Sequence, residues 1–224
     1  VRRGSIAQRV DPQVVAFFAI AAALSTLLSL WLVSRHLMPA FQAVTSATFS
    51  VISVMTTTGF GSGNFASWGA FAAVFIFLVS FLGGCTGSTS GGLKVFRLQI
   101  MGSVVGQHVR QAVHPHVVSP ILYGGRQVTD DEVASVGTFF FFYLGAFVVI
   151  AAACSFLGMD AASALSATAA SIGNVGPGIT EALGPAGNFG ALSDPVKLLL
   201  TLAMIVGRLE VGVVLLLLLP SFYR

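Results

Sequence analysis

A short polar segment, residues 55–61 (MTTTGFG), interrupts a strongly apolar part of the sequence. The apolar segment before it, residues 40–54, is too short to cross a bilayer, because a spanning helix needs about 20 residues. At membrane depth, free backbone polar groups are tolerated only where protein buries them or where water and ions reach them. Carbonyl oxygens that face a common axis can replace the hydration shell of an ion. The segment therefore predicts one wall of an ion filter, with a re-entrant turn that merely links two helices as the alternative.

A second unusual stretch, residues 83–92 (GGCTGSTSGG), carries five glycines and four hydroxyl residues in ten positions. Glycine is a poor helix former, and every backbone group of a lipid-facing helix must be bonded internally. The stretch therefore predicts a break in a membrane helix, where the hydroxyl groups satisfy the freed backbone groups. A phosphate-binding loop is the alternative, but the Gly-Gly-Leu-Lys ending lacks the Gly-Lys-Ser/Thr of that motif.

Arg208 lies between two apolar runs, residues 198–206 and 211–219. A charge inside a spanning helix is costly, so it predicts a functional role with a partner. The alternative is a structural salt bridge, with Glu210 or with an acidic residue outside this chain.

The polar region before the second half contains three histidines that suggest a metal site. A solvated loop explains these histidines better, because their spacing is not that of zinc ligands. These histidines are His108, His114 and His116.

The composition excludes an ordinary soluble domain, since 55% of the 224 residues are hydrophobic and only 8% are charged. Soluble domains average about 25% charged residues. Long uncharged runs rich in Gly, Ser and Thr are typical of closely packed membrane helices and not of a barrel. The net charge of +3 says little about nucleic acid, because the basic residues are scattered among loops. Cys85 and Cys154 lie in apolar segments and predict reduced thiols that pack in the interior.

The apolar pattern of the first half recurs in the second half. Aligning Gly59 with Gly176 gives an offset of 117 residues, the difference between 176 and 59, and the same offset aligns Gly91 with Arg208. Each half then contains a long helix, a short helix, a filter loop and a second long helix. Because each half crosses the membrane twice, the two halves run parallel. The predicted division is a first repeat at 1–107, a connector at 108–128 and a second repeat at 129–224.

The charges orient this layout in the membrane. Most arginines fall on the side of the chain termini and the connector, and only Arg35 and Lys197 fall on the other. By the positive-inside rule, the termini and the connector are cytoplasmic and both filter loops face outward. Spanning helices are expected at residues 14–33, 133–157 and 195–219, a second short helix at 160–172, and a polar connecting region at 100–129.

Three motifs, in this order and spacing, resemble the TrkH/KtrB/HKT superfamily of potassium transporters, and most of all the C-terminal half of the TrkH family. They are TTTGF at 56–60, GGCTGSTSGGLK at 83–94 and GRLE at 207–210, with GNVGPG at 173–178 before the last. The resemblance covers nearly the whole chain. It implies an all-α integral membrane protein with a pseudo-fourfold, potassium-channel-like fold of four helix–pore-loop–helix repeats. This chain resembles the third and fourth repeats.

Two repeats cannot enclose a pore. We therefore expect a missing N-terminal half with two further repeats, in agreement with the start at Val1; pairing of two chains is the alternative. The resemblance also implies that K⁺ is bound at the filter and that a flexible gate lies beneath it, with no organic cofactor and no enzyme activity. The filter residues are Thr57, Thr58, Gly59, Phe60, Asn174, Val175, Gly176 and Pro177; the gate residues are Gly83, Gly84, Gly87, Ser88, Thr89, Ser90, Gly91, Gly92 and Arg208.

The expected function is potassium uptake across the inner (plasma) membrane of a prokaryote, in contact with membrane lipid and without nucleic acid. By resemblance, the expected partners are a TrkA-like cytoplasmic regulator that binds nucleotides and a second full-length subunit in a homodimer. The rival is a secondary transporter of a small solute, because broken helices also build such sites. A non-transporting membrane scaffold is the second rival. The residues themselves do not decide whether K⁺ or Na⁺ is preferred. They also do not decide whether the protein is a channel or an ion-coupled transporter.

Overall fold

Helices make up most of the described structure, and loops connect them. The computed structural model describes residues 11–114 and 120–209 of the chain. These ranges also contain a two-stranded antiparallel hairpin and two 3₁₀ turns, Phe65–Trp68 and Phe189–Ala191. The helices are α1 (Pro12–Ser34), α2 (Ala40–Met55), α3 (Ala70–Val79), α4 (Val95–Val113), α5 (Asp130–Phe156), α6 (Ala161–Ile172) and α7 (Asp194–Arg208); the strands are β1 (Leu122–Tyr123) and β2 (Arg126–Gln127).

A long apolar helix is followed by a short one in each half, as predicted. Among the described residues, α1 and α5 are the helices long and apolar enough to cross a membrane, while α2, α3 and α6 are apolar but shorter. The bounds of α2 and α6 lie within one residue of the predicted ones. α1 begins at the predicted Asp-Pro pair, because the Asp11 carboxylate accepts the Gln13 N–H at 3.0 Å and Pro12 occupies the first helical position.

α5 begins with a capping box. The Thr129 hydroxyl accepts the Glu132 N–H at 3.3 Å, and the Glu132 carboxylate accepts the Thr129 N–H at 2.9 Å. Glu132 also pairs with Arg126 of β2 at 2.6 Å. The second half of the chain therefore starts at a position defined by local bonds.

The predicted polar connecting region is partly helical. α4 continues to Val113, so residues 100–113 extend the helix that follows the glycine-rich stretch, and the short hairpin β1–β2 follows further on. Gln, Arg and His are compatible with a helix, and hydropathy separates apolar from solvated segments without separating helix from loop. The expected continuation of the last helix to residue 219 lies outside the described residues, and the division into two repeats and a connector stays a prediction.

Small residues allow α1 and α2 to pack closely. Ala43 and Ala47 of α2 are fully buried in one cluster with Leu28 and Leu32 of α1. Because the α2 side of this contact carries only alanine methyl groups, the α2 backbone can approach α1 closely, as in other membrane helix pairs. A second cluster joins the end of α3 to α5 through aromatic rings in edge-to-face and tilted contact: Phe77, Phe81, Tyr143 and Phe147.

Asp160 is the N-cap of α6, and its carboxylate accepts the Ser163 N–H at 3.0 Å. Asp160→Ala leaves that N–H without its acceptor, so we expect a lower thermal midpoint of the full-length protein. Asp160→Asn should keep most of the stability, because asparagine is an equally good cap. Ser193 caps α7 without a side-chain bond to the described first turn, so Ser193→Ala is the matched control and should change the midpoint little.

The contribution of Asp160 should depend on pH in one direction. The bond from the Ser163 N–H lowers the pKa of Asp160 below its ordinary value of 3.8. Stabilisation by such a group is complete above the ordinary pKa and is lost as the pH falls through the lower, folded-state pKa. The difference in midpoint between wild type and Asp160→Ala should therefore stay constant from about pH 5 to about pH 8 and shrink only below about pH 4. A difference that already shrinks near neutral pH contradicts this assignment.

Candidate functional site

The two short helices end with the same backbone conformation. We define loop A as residues 56–61, after α2, and loop B as residues 173–178, after α6. Thr57 of loop A has a φ of 53° and Asn174 of loop B has a φ of 54°, 117 residues apart. Positive φ is common for asparagine but an outlier for a β-branched residue such as threonine. The strained conformation at Thr57 therefore marks a position that the surrounding structure holds in place.

Backbone hydrogen bonds complete the match. The Thr58 N–H donates to the Ser53 carbonyl at 2.9 Å, and the Val175 N–H donates to the Ala170 carbonyl at 2.9 Å. These bonds span six residues and are the defining bonds of the Schellman motif, which satisfies the last carbonyls of a helix. Both short helices thus direct their C-terminal, partially negative ends at the loop that follows.

A glycine with positive φ follows in each loop, Gly59 at 77° and Gly176 at 105°. A side chain at Gly59 would collide with the Val175 carbonyl oxygen, so loop A lies directly against loop B. At Gly176, no heavy atom of the described residues lies within 4 Å of the position a Cβ would take. The predicted filter centres therefore share a backbone conformation, while only Gly59 is enclosed by the described part of the chain.

One serine holds each loop to its helix. The Ser53 hydroxyl of α2 donates to the Phe60 carbonyl at 2.8 Å. The Ser166 hydroxyl of α6 accepts the Ile179 N–H, just beyond loop B, at 2.7 Å. These bonds come from different positions of the two helices, so they are not part of the 117-residue match. They nevertheless fix both loops against the helices that precede them.

The glycine-rich loop, residues 83–92, is closed at its base. Leu82 and Leu93 form a parallel bridge, in which the Gly83 N–H donates to the Leu93 carbonyl and the Leu93 N–H donates to the Phe81 carbonyl, both at 2.8 Å. The Val95 N–H donates to a further loop carbonyl at 3.2 Å. The break between α3 and α4 is therefore a closed loop inserted into a helical path.

Hydroxyl groups bond the interior of the glycine-rich loop, as the sequence predicted. The Ser90 hydroxyl accepts the Gly84 N–H at 2.8 Å and lies 2.7 Å from the Ser88 hydroxyl. The Ser88 hydroxyl also donates to the Cys85 carbonyl at 2.6 Å. These side chains replace the helical bonds that the break removes.

The glycine-rich loop and α7 both contact the C-terminal end of α6. A side chain at Gly91 would collide with the Gly173 carbonyl oxygen, and one at Gly207 would collide with the Ile172 carbonyl oxygen. These two glycines are therefore required for close approach of backbone to backbone.

Side chains of the two positive-φ residues reinforce this arrangement. The Thr57 hydroxyl accepts the Gly91 N–H of the glycine-rich loop at 3.2 Å. The Asn174 amide donates to the Met204 carbonyl of α7 at 3.0 Å. In each half, the positive-φ residue after the short helix thus bonds the backbone of another element, the glycine-rich loop in the first half and α7 in the second. Residue types alone did not predict either bond.

The structure brings Arg208 and the glycine-rich loop together. They line a cavity of about 190 Å³ with Lys94 and Phe139, and Arg208 is exposed in the described chain. Glu210, the sequence-based salt-bridge partner, lies outside the described residues, as does His116. Within the described ranges, no group of three or more His, Cys, Asp and Glu side chains is arranged to hold a metal ion.

Comparison with known proteins decides the family. Residues 12–221 match the TrkH family, described as cation transport protein. The chain belongs to the TrkH family. It is 42% identical to the Trk system potassium uptake protein TrkI of Halomonas elongata over 214 residues, and 38% identical to TrkH of Vibrio parahaemolyticus over 215 residues. These alignments cover 96% of this chain but only 43% and 44% of the relatives, so the chain spans less than half of their length.

The fold is that of a solved member of the family. The crystal structure of the potassium transporter TrkH from Vibrio parahaemolyticus superimposes with a TM-score of 0.89 at 38% identity, over 96% of this chain and 45% of that one. The chain therefore has part of a membrane transporter fold. Its relatives are named as potassium uptake proteins.

Thr57→Val tests the bond between loop A and the glycine-rich loop. Valine keeps the shape of threonine but removes the acceptor of the Gly91 N–H, so we expect a loss of about 1 kcal/mol in the free energy of unfolding and faster hydrogen exchange at Gly91. Thr45→Val is the matched control, because that hydroxyl bonds only the Phe41 carbonyl of its own helix among the described residues. Equal effects of the two substitutions on Gly91 exchange contradict the assignment.

Proposed function

We propose that this chain forms two of the walls of a potassium-selective filter, and the gate beneath it, in a transporter that takes up K⁺ across the inner membrane. The observation that carries the proposal is the matched end of α2 and α6. Both helices end in a Schellman motif at the same offset, and a positive-φ glycine follows in each loop. The names of the relatives as potassium uptake proteins support K⁺ as the ion.

Filter chemistry follows from the carbonyl groups of the two loops. In the proposal, carbonyl oxygens of Thr57, Thr58 and Gly59, and of Asn174, Val175 and Gly176, replace water around K⁺. The short helices direct their partially negative ends at these loops, which favours a cation. Contact between Gly59 and Val175 holds the two walls at a fixed separation. Phe60 and Pro177 complete the two filter segments.

Two further repeats are needed to close the pore. The chain spans about 44% of the length of its relatives, which supports an N-terminal half with two more helix–loop–helix repeats in a pseudo-fourfold arrangement. The exposed apolar face of α2, beside the cavity lined by Val44, Phe49 and Ile52, supports contact with that half or with lipid. In the same proposal, the chain termini face the cytoplasm and the filter faces outward, in agreement with the distribution of arginines.

The glycine-rich loop is the proposed gate. Its base is closed by backbone bonds, but its middle residue Gly87 has no described atom near the position of a Cβ. It lies against the end of α6, below loop B, and shares a cavity with Arg208. We propose that the loop and Arg208 together obstruct the passage, and that a TrkA-like cytoplasmic regulator and homodimer formation control it in the full-length protein.

Gly59→Ser is the decisive test of the filter. A side chain at this position meets both the positive φ and the Val175 carbonyl, so we expect a clear loss of K⁺ selectivity over Na⁺. The measurement is competition between the two ions during uptake by the full-length protein in cells lacking other potassium systems. Gly158→Ser is the matched control, because Gly158 also has a positive φ, of 96°, but lies in the turn between α5 and α6, outside the filter and gate residues.

Unchanged competition between K⁺ and Na⁺ in the Gly59→Ser protein, at normal abundance in the membrane, overturns the filter assignment. Thermal stabilisation by K⁺ and Rb⁺ supports the proposal independently. Stabilisation by a small organic solute, and not by these ions, favours the secondary-transporter alternative.

Arg208→Ala tests the barrier. A fixed positive charge about 8 Å from a permeating ion repels it by about 2 kcal/mol at an effective dielectric of about 20. Removing it should raise basal K⁺ uptake severalfold and reduce dependence on the cytoplasmic regulator, whereas Arg208→Lys should behave nearly like wild type. Lys197→Ala removes the same charge from the other end of α7 and is the control. Unchanged flux with lower thermal stability in Arg208→Ala means that the arginine is structural.

A further inference from the structure

A glutamine in the first turn of α1 contacts the glycine-rich loop. Gln13 is 8% exposed, and its side-chain carbonyl oxygen accepts the Thr86 N–H at 2.8 Å. The two residues are 73 positions apart in the sequence. Thr86 lies in the loop beyond its closed base, so this bond holds a part of the loop that the base does not.

Asp11 connects Gln13 to the β-hairpin. Its carboxylate accepts the Gln13 side-chain N–H at 3.1 Å, and the same group accepts the Tyr123 hydroxyl at 2.8 Å. Tyr123 lies at the end of β1. Its ring packs edge-to-face against the ring of Phe96 of α4, with 4.8 Å between the ring centroids. A continuous series of hydrogen bonds thus runs from the hairpin through α1 to the glycine-rich loop.

Donors and acceptors in this series have fixed directions. Bonds from the Gln13 backbone and from Tyr123 lower the pKa of Asp11, so its carboxylate only accepts. Burial, and then the bond to Asp11, raise the pKa of Tyr123 to about 12, so its hydroxyl stays protonated and donates. The Gln13 amide must then donate toward Asp11, which leaves its oxygen directed at Thr86.

The hairpin that carries Tyr123, at the end of this series of hydrogen bonds, is closed by a tight turn. Tyr123 pairs with Arg126, and the two residues between them are Gly124 and Gly125, both with positive φ. This is the tight two-residue turn that matches the twist of hairpin strands. A displacement of the hairpin therefore moves the Tyr123 hydroxyl with it.

We propose that Gln13 is a positioning residue for the glycine-rich loop, and that Asp11 and Tyr123 make its position depend on the β-hairpin. The Cys85 thiol of the loop donates to the Gln13 backbone carbonyl at 3.9 Å. In the described chain, side chains from outside the loop bond two of its backbone N–H groups, that of Thr86 through Gln13 and that of Gly91 through Thr57. Loss of the Gln13 contact frees one of them. The inference rests on the proposed gating role of the loop only where it concerns ion flux.

Two readouts on the full-length protein in liposomes test the proposal. The first is hydrogen exchange of the loop amides 87–91, whose bonds do not involve Gln13, and the second is basal Rb⁺ flux. Gln13→Leu should raise loop exchange about fivefold, as expected for one lost hydrogen bond, and should raise basal flux. Tyr123→Phe should raise loop exchange by a smaller factor, although it lies outside the loop.

Combination of the two changes separates a connected series from two local effects. If the hairpin acts on the loop only through Gln13, the double variant Gln13→Leu with Tyr123→Phe should have the same loop exchange rate as Gln13→Leu alone. If the increase in loop exchange in the double variant instead equals the product of the two single increases, Tyr123 and Gln13 act on the loop independently, which overturns the proposal. Unchanged loop exchange in Gln13→Leu also overturns it.

A charge-conserving exchange provides the rescue. Gln13→Glu alone places two carboxylates side by side and should loosen the loop. Asp11→Asn with Gln13→Glu restores the pattern with reversed donors, because the asparagine amide donates to the glutamate, which still accepts the Thr86 N–H. Recovery of wild-type loop exchange in the double variant supports the positioning role. Failure to recover in a folded protein overturns it.

Deletion of residues 86–90 separates this proposal from the gating role. If the deletion raises flux but Gln13→Leu changes neither exchange nor flux, the gate stands and the positioning role is wrong. If the deletion leaves flux unchanged while Gln13→Leu still speeds loop exchange and the rescue works, the positioning role stands and the gate is wrong.

Discussion

The structure depends on one constraint, that a backbone polar group at membrane depth must find a partner. The chain interrupts its helices at the ends of α2 and α6 and between α3 and α4. Schellman bonds satisfy the first two ends, while a parallel bridge and serine hydroxyls satisfy the third. Because the interior bonds are made locally, each interruption is a defined structure and not a loosened helix. In the proposed function, the loop carbonyl groups without a helical hydrogen bond bind ions.

Close approach of backbones is the second condition. Gly59 lies against the Val175 carbonyl, and Gly91 and Gly207 lie against the last carbonyls of α6. In all three contacts the glycine leaves room that any side chain would fill. Residues 172–175, where α6 passes into loop B, are therefore contacted by loop A, by the glycine-rich loop and by α7, so that a displacement of one element affects the packing of the others.

Sequence reasoning was most accurate where a local signal exists. The Asp-Pro pair at Pro12, the acids at the start of α5 and the apolar limits of α2 and α6 each act within one helical turn, and the structure places the helices there. It was wrong about α4, which extends to Val113 through a polar segment. The prediction relied on polarity, which reports solvent and not backbone conformation, and missed apolar residues that recur at helical spacing, Met101, Val105, Val109 and Val113.

The sequence by itself determined the membrane class, the long helix followed by a short helix in each half and the 117-residue match between Gly59 and Gly176, because composition and glycine placement are properties of the chain alone. Only the tertiary structure decided that Thr57 bonds Gly91, that Asn174 bonds α7 and that Gln13 bonds Thr86. Those contacts join residues about 30 to more than 70 positions apart. Which polar groups meet at such distances depends on how the helices pack, and residue spacing carries no record of it.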